Sequence, residues 1–234
     1  MDIENNSKNQ LDKNFVETIK LFNENNINYW ICHGTLLGII RDRKLISWDH
    51  DIDIAVWYKE DLHEKIKNLM RENLFELKEK YFSEDGLLTF TKGSGREIDI
   101  NFYNIVKNID NNKIASVKWY VPKNNLYKII DVLSKAKSYS GKYKNLINRF
   151  SKFKKFFSFL KNHLIRKKYF FKIMGYTQPC DLLKPFKQID FQGIKVVIPS
   201  KPNEYLRYIY GSTWQKPKKN FNWIKDSPST QEFK

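Results

Sequence analysis

A strict two-residue alternation runs through residues 51–56, in the segment HDIDIAVW. Successive side chains of a β-strand point to opposite faces of the sheet, so the alternation predicts a strand with Ile52 and Ile54 on one face. Asp51 and Asp53 fall on the other face. Because each residue advances a strand by about 3.3 Å, the two carboxylates are expected about 7 Å apart along one side of the strand.

A third aspartate occupies the same apolar context on a later predicted strand. The segment GLLTFTKGSGREIDINFYNI predicts a β-hairpin with its turn at residues 93–95, and the returning strand carries Asp99 between two isoleucines. Pairing of the two strands would bring Asp99 beside Asp51 and Asp53. Three close carboxylates repel one another unless a cation binds them, and Mg²⁺ prefers such oxygen ligands. We therefore predict a Mg²⁺ site, although the Asp spacing alone fits solvated positions on a half-exposed strand equally well.

The segment upstream of Asp51 favours a phosphate site. INYWICHG predicts a short strand that stops at Gly34, and Thr35 stands near the start of the next predicted helix. Backbone N–H groups at a helix start, together with a hydroxyl, are suited to bind phosphate. The predicted phosphate and metal sites are therefore neighbours.

The positive charge of the chain is concentrated in one stretch. The 234 residues include 42 Lys and Arg and 26 Asp and Glu, for a formal net charge of +16. Thirteen of the 42 basic residues and no acidic residue lie between residues 132 and 180, so the remainder has 29 basic and 26 acidic residues. From Lys144 to about Met174 the apolar residues keep helical spacing, while Lys154, Lys161 and Lys168 recur every seventh residue on another side. The stretch is predicted to be a basic amphipathic helical segment.

Three interpretations of this basic segment are open. In the first interpretation, the Lys and Arg side chains are solvated and bind nothing. In the second, the protein has no catalytic activity, and these side chains bind nucleic acid together with the interleaved aromatic residues. The third interpretation is that the helix docks on anionic lipid. We expect contact with an anionic membrane rather than with nucleic acid.

The remaining segments predict a single α+β core with additions. Helical spacing predicts helices over about residues 8–25 and 60–73, and KIASVKWYVP predicts a further strand. Towards the carboxy terminus, we predict a β element with a turn at Gly193, a helix after Pro202 and a loose polar tail after Trp223.

These elements suggest three parts: a catalytic core over residues 1–131, the basic helical segment over 132–180, and a carboxy-terminal element over 181–234 that completes the domain. Cys32 and Cys180 lack the spacing of a zinc site or a disulfide framework. The first residues show no apolar leader, and no run of about 18 apolar residues is present. We therefore expect a cytoplasmic protein that does not span a membrane.

Two segments carry a family resemblance. HGTLLGIIRDRKLISWDHDIDIAV combines a small-residue turn, TLLG, an Arg and an acidic run, and EYLRYIYGSTWQKP follows later in the chain. The first is similar to the signature of the LicD family, which includes fukutin and fukutin-related protein, where the acidic run reads PWDDDID. The second is similar to the carboxy-terminal YLxxxYGDxWxxP element of that family. The resemblance covers about residues 28–56 and, more loosely, residues 189–217.

The resemblance implies a nucleotidyltransferase fold, in which a mixed β-sheet is flanked by helices. It also implies the Mg²⁺-dependent transfer of a substituted phosphate, such as phosphocholine. The donor would be CDP-linked, such as CDP-choline, and the acceptor would be a sugar hydroxyl of a cell-surface glycan or of its lipid-linked precursor. Together with the basic segment, such an acceptor suggests a location at the inner face of the cytoplasmic membrane.

The resemblance also assigns roles to individual residues. Gly34 and Thr35 would hold the donor phosphate, Arg41 would neutralise it, and Asp49 would support the substrate-binding loop. The implied catalytic and metal-binding residues are Asp51, Asp53 and Asp99. Asp99 would either complete the metal site or accept the proton of the acceptor hydroxyl.

Three residues depart from the family pattern and leave the donor open. His33 stands where many members have Gly, His50 interrupts the acidic run, and Ser212 replaces an Asp. A nucleotidyltransferase that moves NMP from an NTP to a small molecule or RNA shares the fold and is the alternative. Tyr210 and Trp214 are interpreted as packing residues rather than catalytic ones.

Overall fold

The computed structural model describes residues 11–78, 86–107, 112–135 and 138–233. Within these ranges the strands are β1 (Tyr29–Ile31), β2 (Asp51–Trp57), β3 (Glu76–Leu77), β4 (Leu87–Thr91), β5 (Glu97–Lys107), β6 (Lys113–Pro122), β7 (Phe171–Pro179), β8 (Phe186–Phe191), β9 (Ile194–Pro199) and β10 (Thr230–Phe233). The α-helices in the same ranges are α1 (Lys13–Glu24), α2 (His33–Leu37), α3 (Glu60–Glu72), α4 (Asn125–Ser134), α5 (Lys144–Asn148), α6 (Lys154–Arg166), α7 (Pro202–Tyr210) and α8 (Trp223–Asp226). The chain is therefore a mixed α+β protein, as its sequence predicts.

The main sheet is mixed and follows the order β1-β2-β5-β6-β7-β10, with β4 also paired to β5 and β3 to β4. At its centre β2 and β5 run parallel, while β1 pairs antiparallel with β2. The first half of β5 also pairs with β4, and its second half pairs with β6. Strands β8 and β9 form a separate antiparallel hairpin. The parallel pair β2–β5 is the feature that positions the candidate site.

The chain divides into two compact units. Unit 1 comprises residues 1–118 and 175–231, as far as they are described, and unit 2 comprises residues 119–174 and 232–233. The three ranges predicted from the sequence stay a prediction.

The core of unit 1 forms around the apolar face of α1 and the central strands. Phe15, Ile19 and Phe22 of α1 are fully buried, as their helical spacing predicts. Ile52 and Ile54 of β2 are fully buried, whereas the aspartates between them are only half-buried. The two-residue alternation of β2 therefore separates core from site, as predicted.

Most predicted elements are present at nearly the predicted positions. The helix predicted over 60–73 is α3, the hairpin with its turn at 93–95 is β4–β5, and KIASVKWYVP is β6. The helix predicted over 8–25 is α1, whose first predicted residues lie outside the described ranges. The predicted β element and the helix after Pro202 are β8–β9 and α7.

Two predicted boundaries are wrong. The basic helical segment ends at Arg166 rather than near Met174, because residues 171–179 pair into the main sheet as β7. The tail after Trp223 is structured rather than loose. It contains α8 and the sheet strand β10, and the Thr177 amide donates to the Ser229 carbonyl at 3.0 Å. Sheet pairing, which the local sequence pattern does not encode, explains both differences.

No helix in the described ranges has the length and hydropathy that a bilayer crossing requires.

Candidate active site

The three predicted carboxylates converge on one face of the parallel pair. Asp51 and Asp53 lie two residues apart on β2, and the register places Asp53 directly opposite Asp99 on β5. Asp51, Asp53 and Asp99 each offer an oxygen within 4.8 Å of those of the other two, and all three residues are half-buried. The strand alternation and the strand pairing together build this cluster.

Burial and mutual repulsion make the cluster unfavourable in the absence of a cation. Burial, together with the charge of the neighbouring Asp49 and a hydrogen bond with its side chain, raises the pKa of Asp51 to about 7. Burial also raises the pKa of Asp53 well above its usual range, with repulsion from Asp51, Asp99 and Asp49 acting in the same direction. In the described part of the chain, neither Asp51 nor Asp53 has a Lys or Arg ion-pair partner. The cluster therefore gains from binding a cation.

The first turn of α2 holds Asp53 from two sides. The Gly34 amide donates to Oδ2 of Asp53 at 3.0 Å, and the Asp53 amide donates to the Thr35 hydroxyl at 2.8 Å. The backbone connects the same segments, because the Cys32 amide donates to the Asp53 carbonyl at 3.2 Å. Gly34 and Thr35, which are predicted to bind phosphate, thus lie at the carboxylate cluster.

Asp49 also belongs to the site. It lies just before β2 and hydrogen-bonds the Asp51 side chain. A Cβ at Gly34 would collide with the Asp49 carboxylate and would lie 3.4 Å from Oδ2 of Asp53. Glycine at position 34 therefore allows two carboxylates to approach the backbone closely.

The Arg41 side chain forms an ion pair with the adjacent residue, Asp42. It lies in a π-helical turn (Gly38–Asp42) that follows α2, and its guanidinium donates two hydrogen bonds of 2.7 Å to the Asp42 carboxylate. The Arg41 side chain is 8% exposed. Its assignment to the donor phosphate stays a prediction, as do the roles of the other predicted site residues.

A buried group of aromatic residues supports the other side of the turn. His33 lies in the left-handed region with a φ of 42°, and burial lowers its pKa to about 3, so its imidazole is neutral. Its Nε2 and the Tyr103 hydroxyl are joined by a hydrogen bond of 3.0 Å, and its ring stacks on Tyr176 at 4.4 Å. The His33 amide donates to the Tyr205 hydroxyl at 3.5 Å. This His33 cluster fixes the backbone immediately before Gly34.

The tyrosines of the cluster are not identified by the sequence prediction. Burial raises the pKa of Tyr103, Tyr176 and Tyr205, and the charge of Asp53 acts in the same direction on all three. Tyr205 lies in α7, within the segment that resembles the family's carboxy-terminal element. That resemblance is the one sequence signal that could have placed Tyr205 at the site, whereas nothing local to Tyr103 or Tyr176 points there.

The donor set fits a hard divalent cation. Three carboxylates offer oxygen ligands close enough to share one ion, and a bound cation would relieve the repulsion that raises the pKa of Asp51 and Asp53. These properties match a hard cation better than a softer metal, because the cluster contains neither a His nor a Cys ligand.

Comparison with solved structures finds remote similarity to antibiotic-modifying enzymes. The lincosamide antibiotic adenylyltransferase LnuA, solved with lincomycin bound, is 13% identical, with a TM-score of 0.43 over 86% of this chain and 87% of that one. The crystal structure of ANT(2")-Ia in complex with adenylyl-2"-tobramycin is 13% identical. Its TM-score is 0.32 over 67% of this chain and 97% of that one.

Two curated relatives match a short stretch of the chain. The uncharacterized protein RP689 of Rickettsia prowazekii (strain Madrid E) is 43% identical over 47 residues, which are 20% of this chain and 18% of the relative. The uncharacterized protein RT0683 of Rickettsia typhi (strain ATCC VR-144 / Wilmington) is 43% identical over 47 residues, which are 15% of that relative. The matched stretch thus spans less than a fifth of the length of either relative.

A family model matches the part of the chain that contains the site. Residues 26–129 match the model described as LicD/FKTN/FKRP, nucleotidyltransferase domain. The matched range includes Gly34, Thr35 and the three clustered aspartates. The family resemblance seen in the sequence is thereby confirmed over residues 26–129, which match the LicD-family nucleotidyltransferase domain.

Proposed function

We propose that this protein transfers a substituted phosphate, such as phosphocholine, from a CDP-linked donor to a sugar hydroxyl. The acceptor would be a cell-surface glycan or its lipid-linked precursor. The observation that carries the proposal is the convergence of the Asp51, Asp53 and Asp99 oxygens within 4.8 Å, next to the Gly34 amide and the Thr35 hydroxyl. The family match supports a transferase with a nucleotide-type donor, and the CDP-linked donor and sugar acceptor are inferred from the LicD resemblance.

The carboxylates and the turn have separate roles in this proposal. Asp51, Asp53 and Asp99 would hold Mg²⁺, which when bound would offset the negative charge of the donor phosphates. Gly34 and Thr35 keep Asp53 in position through the hydrogen bonds described above. The buried His33 cluster keeps this turn rigid, so the carboxylates need little rearrangement when the donor arrives.

The proposed reaction is a substitution at phosphorus. The acceptor oxygen forms a bond to the phosphorus that bears the transferred group, and the bond from that phosphorus to the bridging oxygen breaks. CMP leaves with the electron pair of the broken bond. The hydroxyl proton passes to solvent if Asp99 completes the metal site, and otherwise to the Asp99 carboxylate. Positioning and electrostatic stabilisation supply most of the acceleration in such reactions.

The test is a calorimetric titration with CDP-choline, CTP and ATP, in Mg²⁺ and then in EDTA. Asp51→Asn removes one carboxylate of the cluster with little change in volume. Asp61→Asn is the matched control, because Asp61 is an exposed residue in the first turn of α3. We expect CDP-choline to bind in Mg²⁺ only, and to bind Asp61→Asn but not Asp51→Asn.

The other outcomes separate the competing functions. Binding of CTP or ATP without CDP-choline would indicate transfer of NMP from a triphosphate. Sharply salt-dependent RNA binding without binding of any nucleotide would indicate a non-catalytic nucleic-acid-binding module. Full Mg²⁺-dependent binding of CDP-choline by Asp51→Asn would refute the assignment of the metal site.

We further propose that the protein works in the cytoplasm, at the inner face of the cytoplasmic membrane, where a lipid-linked acceptor would be available. Cell fractionation tests this location. Recovery with the membrane fraction at low salt and release at high salt are the expected result, whereas recovery only in the cytosolic fraction would contradict it.

A further inference from the structure

Helix α6 of unit 2 has an inward face that does not match the predicted amphipathic pattern. It packs against α4 and buries Lys161, whereas its apolar residues are half-buried or exposed. Nζ of Lys161 lies 3.0 Å from Oδ1 of Asp131 and 3.3 Å from the Ser134 hydroxyl. Of the three lysines predicted to recur along the outer side, Lys154 and Lys168 are exposed and Lys161 is not. Lys161 therefore does not contribute to the outer face of this helical segment.

Four phenylalanines lie on that outer face. Phe150, Phe153, Phe156 and Phe159 are 45%, 49%, 59% and 67% exposed. Phe150 and Phe153 lie in a 3₁₀-helical turn (Arg149–Phe153), where side chains three residues apart lie above one another. Phe156 and Phe159 follow at the same interval in α6, where such side chains are neighbours on the surface. We call these four residues the Phe ridge.

Two further exposed apolar side chains precede the Phe ridge in the chain. Leu146 of α5 is 57% exposed and Tyr143, just before α5, is 66% exposed. Single exposed apolar residues are ordinary, but a contiguous apolar patch usually marks an interaction site. We therefore expect these exposed apolar residues to contact an apolar partner.

The charged residues that flank the Phe ridge in the chain are basic. The exposed basic residues between Lys144 and Lys168 are Lys144, Arg149, Lys152, Lys154, Lys155, Arg166, Lys167 and Lys168. Residues 132–180 contain no Asp or Glu. Nζ of Lys152 lies 5.3 Å from the centre of the Phe153 ring, so charge and aromatic surface adjoin. The partner must offer both negative charge and apolar surface.

We propose that the Phe ridge and its flanking Lys and Arg residues dock unit 2 on a bilayer that contains anionic phospholipid. Aromatic side chains on one side of a helix enter the boundary between headgroups and acyl chains, and nearby basic residues contact anionic headgroups. This surface belongs to unit 2 alone, and the inference does not depend on the reaction proposed for unit 1.

Two other occupants fit the surface less well. A second copy would bring its own basic residues against the same basic surface, with like-charge repulsion as the result. Single-stranded RNA is usually bound in a positively charged groove in which bases stack on aromatic side chains. The Phe ridge instead runs along the outside of successive helical turns, which suits insertion into a lipid surface.

Sedimentation with lipid vesicles tests the proposal in the full chain. The probes are phosphatidylcholine vesicles with and without phosphatidylglycerol, at low and at high salt. We expect binding to the anionic vesicles only, and weaker binding at high salt because salt screens the Lys and Arg charges. Absence of binding to anionic vesicles at low salt would overturn the proposal.

Paired variants separate the apolar contribution from the charge. Phe156→Ser/Phe159→Ser should weaken the partition coefficient at least about tenfold. Lys154→Gln/Lys155→Gln should weaken it about thirtyfold, which corresponds to about 2 kcal/mol. Leu74→Ser is the control, because Leu74 is 77% exposed and lies in unit 1, so its variant should bind like the wild type.

Two further results would refute the docking surface. Unchanged vesicle binding by the Phe variant, with circular dichroism showing that it is folded, would exclude insertion of the Phe ridge. Binding of a labelled single-stranded RNA that both double variants lose, together with vesicle binding that neither variant loses, would assign the surface to nucleic acid. Neither result would bear on donor binding by unit 1, so the two proposals can fail separately.

Discussion

Each of the two units contains a buried ionic cluster, and the two clusters are built in opposite ways. In unit 2, Lys161 is paired with Asp131 at 3.0 Å and with the Ser134 hydroxyl at 3.3 Å. In unit 1, strand pairing brings Asp51, Asp53 and Asp99 together, and their like charges help to raise the pKa of Asp53. The first cluster pairs opposite charges, whereas the second brings like charges together.

This difference indicates what each cluster contributes. A buried charge that is paired and hydrogen-bonded fixes how two helices pack, so removing one partner destabilises the fold. Close carboxylates destabilise the ligand-free protein and gain free energy only when a cation binds. Stability measurements on charge-removing variants should therefore move in opposite directions in the two units.

The largest expected effect is at Lys161. Lys161→Met keeps the length of the side chain but removes the charge next to Asp131, and it should lower the free energy of unfolding by about 3 kcal/mol. Lys154→Met, at an exposed position of the same helix, is the control and should change it by less than about 0.5 kcal/mol. Chemical denaturation measures both. Equal stability of the two variants would mean that the buried ion pair does not stabilise unit 2.

The carboxylate cluster should respond in the opposite direction, and in a pH-dependent way. The pKa of Asp51 is raised from 3.8 to about 7, so between about pH 4 and pH 7 the folded state binds more protons than the unfolded state. In EDTA, the free energy of unfolding should therefore fall as the pH rises through that window, by on the order of 1–2 kcal/mol.

Asp51→Asn should remove most of this fall and should be at least as stable as the wild type near neutral pH in EDTA. Denaturation curves across the pH window measure the slope for both proteins. An equally steep fall in Asp51→Asn would place the responsible group elsewhere. A loss of stability in this variant at neutral pH would show that the carboxylate cluster stabilises the fold, as the Lys161–Asp131 pair does in unit 2.

The smallest expected effect concerns the turn that holds Asp53. Thr35→Val removes the hydroxyl that accepts the Asp53 amide at 2.8 Å, and it should lower the free energy of unfolding by about 1 kcal/mol. Thr35→Ser keeps the hydroxyl and is the matched control. If the two variants have the same stability, this hydrogen bond does not hold the turn against β2.

The contrast between the clusters also shows which site residues can be predicted from the sequence. Asp51 and Asp53 could be assigned to one face because a strand has a two-residue period, and Asp99 because a recognisable hairpin turn fixes its strand. The predicted junction of a strand and a helix pointed to Gly34 and Thr35, which the structure places at the cluster. The local sequence pattern was sufficient to predict a site residue wherever local backbone geometry determines the direction of its side chain.

Other residues depend on contacts between distant parts of the chain. Tyr176 and Tyr205 reach His33 from β7 and α7, and no local pattern encodes that approach. Lys161 was placed on the outer side of the basic helix because its spacing fits a row of lysines, but packing against α4 buries it. The partner helix determines which face of an amphipathic helix is buried. Here α4 provides Asp131, and Lys161 is buried beside it.

The central claim is that Asp51, Asp53 and Asp99 form one divalent-cation site. The most direct test is a titration with Mn²⁺ followed by electron paramagnetic resonance, in which the signal of free Mn²⁺ reports binding. We expect one site in the wild type and in Asp61→Asn, and loss of that site in each of Asp51→Asn, Asp53→Asn and Asp99→Asn. Unchanged Mn²⁺ binding by the three cluster variants would contradict the claim.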